Sequence, residues 1–162
     1  MNFLRESDKT CHELADIQAR IFAMSAKEKL PSLYFIRAFM YLSETRSLDD
    51  LSFLHGNLSE QELFQLAASH LKSRRGTLFS EAEMHWIGYI YRAMAYISKT
   101  SSRELVSKAP PKYLRSVYPM YHTLDIVAAI NKIDLDTIKP GQSAPESKLV
   151  EILRSTYGKW PF

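Results

Sequence analysis

The chain has 162 residues, 46% hydrophobic and 24% charged, with a formal net charge of +3. These are the values of one ordinary globular domain or two very small ones. The charge excess is too weak to imply a nucleic-acid partner by itself, and the scarcity of glycine, 5 residues in all, argues against an all-β fold. Cys11 is the only cysteine, so no disulfide can form within the chain, which fits a reducing compartment. Phe3 and Leu4 are followed at once by Arg5, Glu6 and Asp8, which is not the pattern of a signal peptide. Arg37 and Arg92 interrupt the longest apolar stretches, far short of a membrane span. A cytoplasmic, non-membrane protein is expected.

Residues 8–24 place Cys11, Leu14, Ile17, Ile21 and Met24 three and four apart, with Glu13, Asp16 and Arg20 opposite. This spacing predicts an amphipathic helix. Ser25 and Glu28 have the spacing of a capping box, in which each side chain satisfies a backbone N–H at a helix start. Pro31 suits a first helical turn, and Leu33–Glu44 is expected as a second apolar helix. Ser47 and Asp50 suggest a short third helix ending near Gly56. Ser59 and Glu62 cap a fourth, with Leu63, Leu66, Ala67 and His70 on one side. Lys72, Arg74 and Arg75 then end it before Gly76, where cations complement the helix dipole.

The stretch Ser80–Thr100 dominates the sequence. Ser80 and Glu83 form a capping box, and no proline follows within the stretch. Trp86, Ile90, Ala93 and Ile97 define one face, which Ile87, Met94, Tyr89, Tyr91 and Tyr96 widen almost to a full circle. A helix apolar nearly all round is buried on most sides. It would be about 30 Å long. Ser101 and Glu104 open a two-turn helix to Lys108, which Ala109-Pro110-Pro111 stops. Pro111 begins another short helix over Lys112–Val117. Residues 118–123, aromatic and containing Pro119, are expected to be irregular. Thr123 or Asp125 starts a helix through Ile126, Ala129, Ile130 and Ile133. Residues 136–144 are expected as a loop, and 145–162 as a C-terminal helix with an aromatic tail.

The fold class that follows is all-α: a compact multi-helix bundle around a buried central helix at about 80–100, with residues 1–135 as one helical domain. Residues 34–47 echo 89–102, matching at Tyr, Arg, Ala, Tyr, Ser, Thr and Ser. If the echo is a duplication, the domain holds two pseudo-repeated helix–turn–helix units, residues 1–75 and 76–135. The alternative is that amphipathic helices ending in polar turns look alike.

Catalytic signals are weak. Cys11 lies on an apolar helix face, where a free cysteine acts as a small hydrophobe, and His12 points about 100° away. The five histidines, His12, His55, His70, His85 and His122, include no pair four apart. Neither a zinc-protease motif nor a C-x-x-C is present, and the i, i+4 pair Glu81 and His85 is better explained as a surface pair. No glycine-rich phosphate loop occurs. His122 has no second group to act with as a base. The chain is therefore expected to be no enzyme and to need no cofactor or metal. Two binding surfaces stand out. Tyr113, Tyr118, Tyr121 and His122, with Arg115 as a charged contact, form an aromatic candidate for a protein partner. The helices at 102–108 and 112–118 suggest instead a DNA-binding helix-turn-helix offering Lys112, Tyr113 and Arg115 to a groove.

An aromatic helix with Trp86 and Tyr89, then Ser101-Ser102-Arg103-Glu104-Leu105, Tyr118, Tyr121-His122-Thr123 and an apolar helix at Ile126–Ile130, resembles a group of small helical bacterial proteins. Their pattern is an aromatic helix, S-[GS]-[KR]-E-[LIV], a later Tyr, and an aliphatic or aromatic residue before H-T. They are largely uncharacterised, many are encoded beside ADP-ribosyltransferase-like toxin genes, and they look like antitoxins. The resemblance spans about residues 80–135. It implies a non-catalytic interaction module that binds and neutralises a partner protein, a toxin from a neighbouring gene.

Overall fold

The computed structural model describes residues 2–72 and 74–138, with side chains from residue 9 onward. Among them the chain is all-helical: α1 (Asn2–Lys27), α2 (Ser32–Tyr41), α3 (Arg46–Asp49), α4 (Glu60–Ser69), α5 (Glu81–Ser98), α6 (Ser102–Lys108), α7 (Pro111–Tyr121) and α8 (Ile126–Thr137). Two single-turn 3-10 helices, Ser43–Thr45 and Ser52–His55, flank α3. The expected helix and aromatic tail at 145–162 lie outside the described residues, as does most of the expected loop. Of that loop, 136 and 137 belong to α8.

Side chains start several helices as the spacing predicts. Ser59 accepts a hydrogen bond from the Glu62 amide, and Ser101 accepts one from the Glu104 amide. At α5 the capping box is complete: the Glu83 amide donates to Ser80 Oγ (3.0 Å) and the Ser80 amide to Glu83 Oε1 (2.8 Å). Such a cap is worth about 1 kcal/mol over alanine. Ser25 behaves differently. It sits inside α1 and its hydroxyl donates to the Phe22 carbonyl, so it caps nothing. Lys29, at φ 55°, turns the chain after α1, and Pro31 stands at the N-cap of α2 rather than in its first turn. Leu51, at φ 68°, breaks the expected third helix into short pieces that end at Gly56.

α5 is the centre of the fold. It touches α1, α3, α6, α7 and α8, and it pairs with α1 far more extensively than any other two helices pair. The two run antiparallel: Lys27 lies 3.5 Å from Glu81 at one end, and Gln18 meets Arg92 further along. Gly88 makes the close approach possible. A Cβ there would stand 2.8 Å from the Gln18 carbonyl oxygen and 2.9 Å from Phe22 Cγ. Phe22 also packs edge-on against Phe35 and Phe39 of α2, and Phe35 meets Phe64 of α4. The core is built between α1, α2, α4 and α5 and continues through Leu105 of α6, Leu114 of α7 and Ile130 and Ile133 of α8. The buried side of α5 is Met84, Ile87, Gly88, Ile90, Tyr91, Arg92, Ala93, Met94 and Ala95. Of the expected face, Ile90 and Ala93 are fully buried, while at its two ends Trp86 is half-buried and Ile97 is 41% exposed.

Arg92 is the largest fully buried side chain, only 1% exposed. Its guanidinium donates to Gln18 Oε1 of α1 (2.8 Å), Asp49 Oδ1 at the end of α3 (2.5 Å) and Ser102 Oγ of α6 (2.8 Å). Ser102 closes the ring by donating to Asp49 Oδ1 at 2.7 Å. Burial pulls the Arg92 pKa down while Asp49 pushes it back up, and burial prevails, leaving it below its ordinary value. A buried charge persists only with such partners. The network ties four helices into one arrangement. The positions matched by the internal echo part company here, since Arg37, the counterpart of Arg92, is exposed.

Candidate functional site

α7 was expected to stop at Val117. It continues to Tyr121, passing through Pro119, whose missing N–H leaves the Arg115 carbonyl without its helical partner. The continuation decides where the aromatic residues point. Tyr118 and His122 are four apart and share a face. Their rings stack at 4.3 Å between centroids, and His122 Nδ1 lies 2.6 Å from the Tyr118 carbonyl oxygen. Tyr118 in turn meets Trp86 of α5 edge-on at 5.7 Å. Ring pairs of this kind contribute about 0.5–1.5 kcal/mol beyond the area they bury.

These three rings form one wall of a cleft of about 750 Å³ between α5, α7 and the start of α8, open to solvent. Tyr89, His85, Leu124 and Ile126 complete most of the lining, with Glu81 at the rim. Glu81 is the only carboxylate in that lining, and no lysine or arginine lines it. The Tyr89 hydroxyl is hydrogen-bonded to His12 Nδ1. Burial, with Asp16 nearby, pushes the Tyr89 pKa up to about 12. The phenol therefore stays neutral near pH 7.

The other expected contact residues turn elsewhere. Tyr113 and Tyr121 both donate to Asp136 Oδ2 of α8, at 2.7 and 2.6 Å. The hydrogen bond to Asp136 raises the Tyr121 pKa to about 12. Burial, then Asp136, raises that of Tyr113. Arg115 lies over the Phe79 ring at 4.5 Å and donates to Glu83 Oε2 at 3.2 Å. Burial works against ionisation of Glu83, but the Ser80 amide and Arg115 outweigh it and hold its pKa below the ordinary value. Tyr118 and His122 thus reach the cleft, whereas Tyr113, Tyr121 and Arg115 brace α7 against α8 and α5. The helix-turn-helix face is divided in the same way. Lys112 is exposed, but Tyr113 and Arg115 are bound to Asp136 and Glu83.

Trp86, Tyr89 and His85 were not among the expected contact residues. Their signal was present in the sequence, since 82, 85, 86 and 89 share the flank of α5 opposite its buried side. Among the described residues no group of three or more His, Cys, Asp or Glu side chains is arranged to hold a metal ion, and no helix is long and apolar enough to cross a membrane. Comparison with known protein families, curated proteins and solved structures finds no match.

Proposed function

We propose that this protein is a non-catalytic interaction module of antitoxin type. It binds a partner protein, a toxin encoded by a neighbouring gene, through the cleft between α5, α7 and α8. The observation that supports this reading is the Trp86–Tyr118–His122 wall of an open, largely apolar cleft. Large aromatic side chains give broad contact at low entropic cost and dominate interface energetics. The antitoxin role itself rests on the sequence resemblance at 80–135.

The cleft favours a particular anchor. Aromatic faces attract cations, and the lining carries one carboxylate, Glu81, whose exposed ion pair with Lys27 at 3.5 Å is weak enough to be exchanged. An arginine or lysine of the partner fits, its stem against Trp86 and Leu124 and its head near Glu81. A complete interface of standard size would bury about 1,600 Å² in all, so the cleft is its centre rather than its whole extent.

Co-expression with the product of the adjacent gene tests the proposal. The two proteins should co-purify, and the chain should relieve any growth arrest its neighbour causes. Trp86→Ala and His122→Ala should each weaken the complex by about 2 kcal/mol, roughly 30-fold, with helical content unchanged. Tyr113→Phe, outside the cleft, should leave binding intact. Failure to co-purify, or equal binding by all three variants, would refute it.

A further inference from the structure

A second surface lies on α2, away from the cleft. Tyr34, Arg37 and Tyr41 stand at i, i+3 and i+7, so they form one stripe along the helix. All three are exposed, Tyr34 by 39% and Tyr41 by 48%. Each tyrosine carries a guanidinium over its ring. Arg74 lies 5.0 Å from the Tyr34 centroid, and Arg103, from the first turn of α6, lies 5.7 Å from that of Tyr41. Arg103 also donates to the Tyr41 carbonyl at 2.8 Å, which fixes its position. The resulting order along the surface is Arg74, Tyr34, Arg37, Tyr41, Arg103, with Arg75 beside the first. Three separate parts of the chain supply it.

The helix dipole does not account for the basic cluster. α4 ends at Ser69, so Lys72, Arg74 and Arg75 lie past its last turn, where the dipole has faded. Nor are these cations neutralised: among the described residues, Arg37, Arg74, Arg75 and Arg103 have no carboxylate within 4 Å. Residues 70–80 contain no acidic residue at all. The nearest carboxylates in sequence are Glu44 for Arg37, Glu81 for Arg75 and Glu104 for Arg103. Glu44 accepts a hydrogen bond from Ser43, and Glu81 lies 3.5 Å from Lys27.

We propose that this stripe binds single-stranded nucleic acid, with bases stacked on Tyr34 and Tyr41 and phosphates held by the four arginines. Alternating ring faces and cations are what an unpaired strand requires, because every base has a π-face and every link a charge. Seven residues of helix separate the tyrosines by about 10 Å, so they serve different bases. A duplex offers the same phosphates but keeps its bases stacked on one another. A protein partner with acidic side chains would use the arginines and leave the tyrosines without a role.

Fluorescence anisotropy with labelled oligo-dT and oligo-U tests this. Four displaced counterions imply an affinity loss of about 50-fold between 50 and 200 mM salt. Tyr34→Ala and Tyr41→Ala should each weaken binding by about 5- to 150-fold, while Tyr34→Phe and Tyr41→Phe retain it. Arg37→Gln should flatten the salt dependence by about one counterion. Both tyrosines are exposed, and circular dichroism will show whether the variants keep their helices. If an alanine variant unfolds, Arg37→Gln and Arg103→Gln carry the test through the salt slope. Absence of single-strand binding at low salt would overturn the proposal. So would equal affinity for duplex with no effect of the tyrosine changes, or preference for polyglutamate. None of these residues lines the cleft, so the outcome is independent of the partner-protein reading.

Discussion

Replacing Gly88 by alanine sets two effects of known sign against each other. In the interior of a helix, alanine is better than glycine by about 1 kcal/mol. At this position the added methyl would stand 2.8 Å from the Gln18 carbonyl oxygen and within 3.0 Å of two Phe22 carbons. Phe22 can rotate only against Phe35 and Phe39, which hold it edge-on. The Gln18 oxygen is backbone and can move only if α1 moves. Displacing α1 would also strain the Gln18–Arg92 hydrogen bond. Overpacking of this kind costs about 1–3 kcal/mol, and more where backbone must shift. Since a main-chain atom is involved, a steric cost of about 3 kcal/mol is expected, which the propensity gain reduces to a net loss of about 2 kcal/mol. Urea denaturation followed by circular dichroism should show a lower midpoint with an unchanged slope. The melting temperature should fall by about 4–8 °C. A Gly88→Ala protein as stable as the parent, or more so, would mean that α1 and α5 do not approach as closely as described.

Two further outcomes follow from the ionisable groups. Asp49→Asn removes the counter-charge of buried Arg92 while keeping a similar shape, and should destabilise the fold by about 3 kcal/mol, the lower end of the range for a broken buried pair, because Asp49 itself is 20% exposed. Urea denaturation measures it, and a loss below about 0.5 kcal/mol would contradict the network's role. Tyr121 should titrate near 12 rather than near 10. The fold holds that proton, so the stabilisation is present below pH 10 and disappears as pH rises from 10 towards 12. Ultraviolet absorbance of tyrosinate checks this, and Asp136→Asn should bring the titration back towards 10.

The helical class and several helix starts were legible because they depend on local spacing. Ser80 with Glu83, Ser59 with Glu62 and Ser101 with Glu104 form caps by contacts within one turn, which a neighbouring helix need not confirm. What was not legible depends on tertiary partners. The apolar circle of α5 did not disclose which side faces α1, and Ile97 turned out exposed because Met84, Gly88 and Tyr91 mark the packed side. An irregular chain at 118–123 would group Tyr113, Tyr118, Tyr121 and His122 into one aromatic patch. Continued helix sorts them onto two sides, with Asp136 claiming one pair and Trp86 the other. Arg92 in an otherwise greasy helix was a visible anomaly. Its partners, Gln18 and Asp49, lie too far off in sequence to be inferred from spacing.

The pairing of α1 with α5 also bears on the order of events at the ribosome. α1 leaves the exit tunnel before α5, carrying a flank of Leu14, Ala15, Ile17, Ile21 and Phe22 that is sealed in the finished protein. Its main cover is not complete until Ser98 has been added, roughly 70 residues later, or about 4–14 s at ordinary elongation speeds. During that wait the nascent segment presents an oily surface to whatever is nearby. Slowed translation across residues 28–98 should lengthen that exposure and increase aggregation or chaperone capture, even though the completed chain is unaltered.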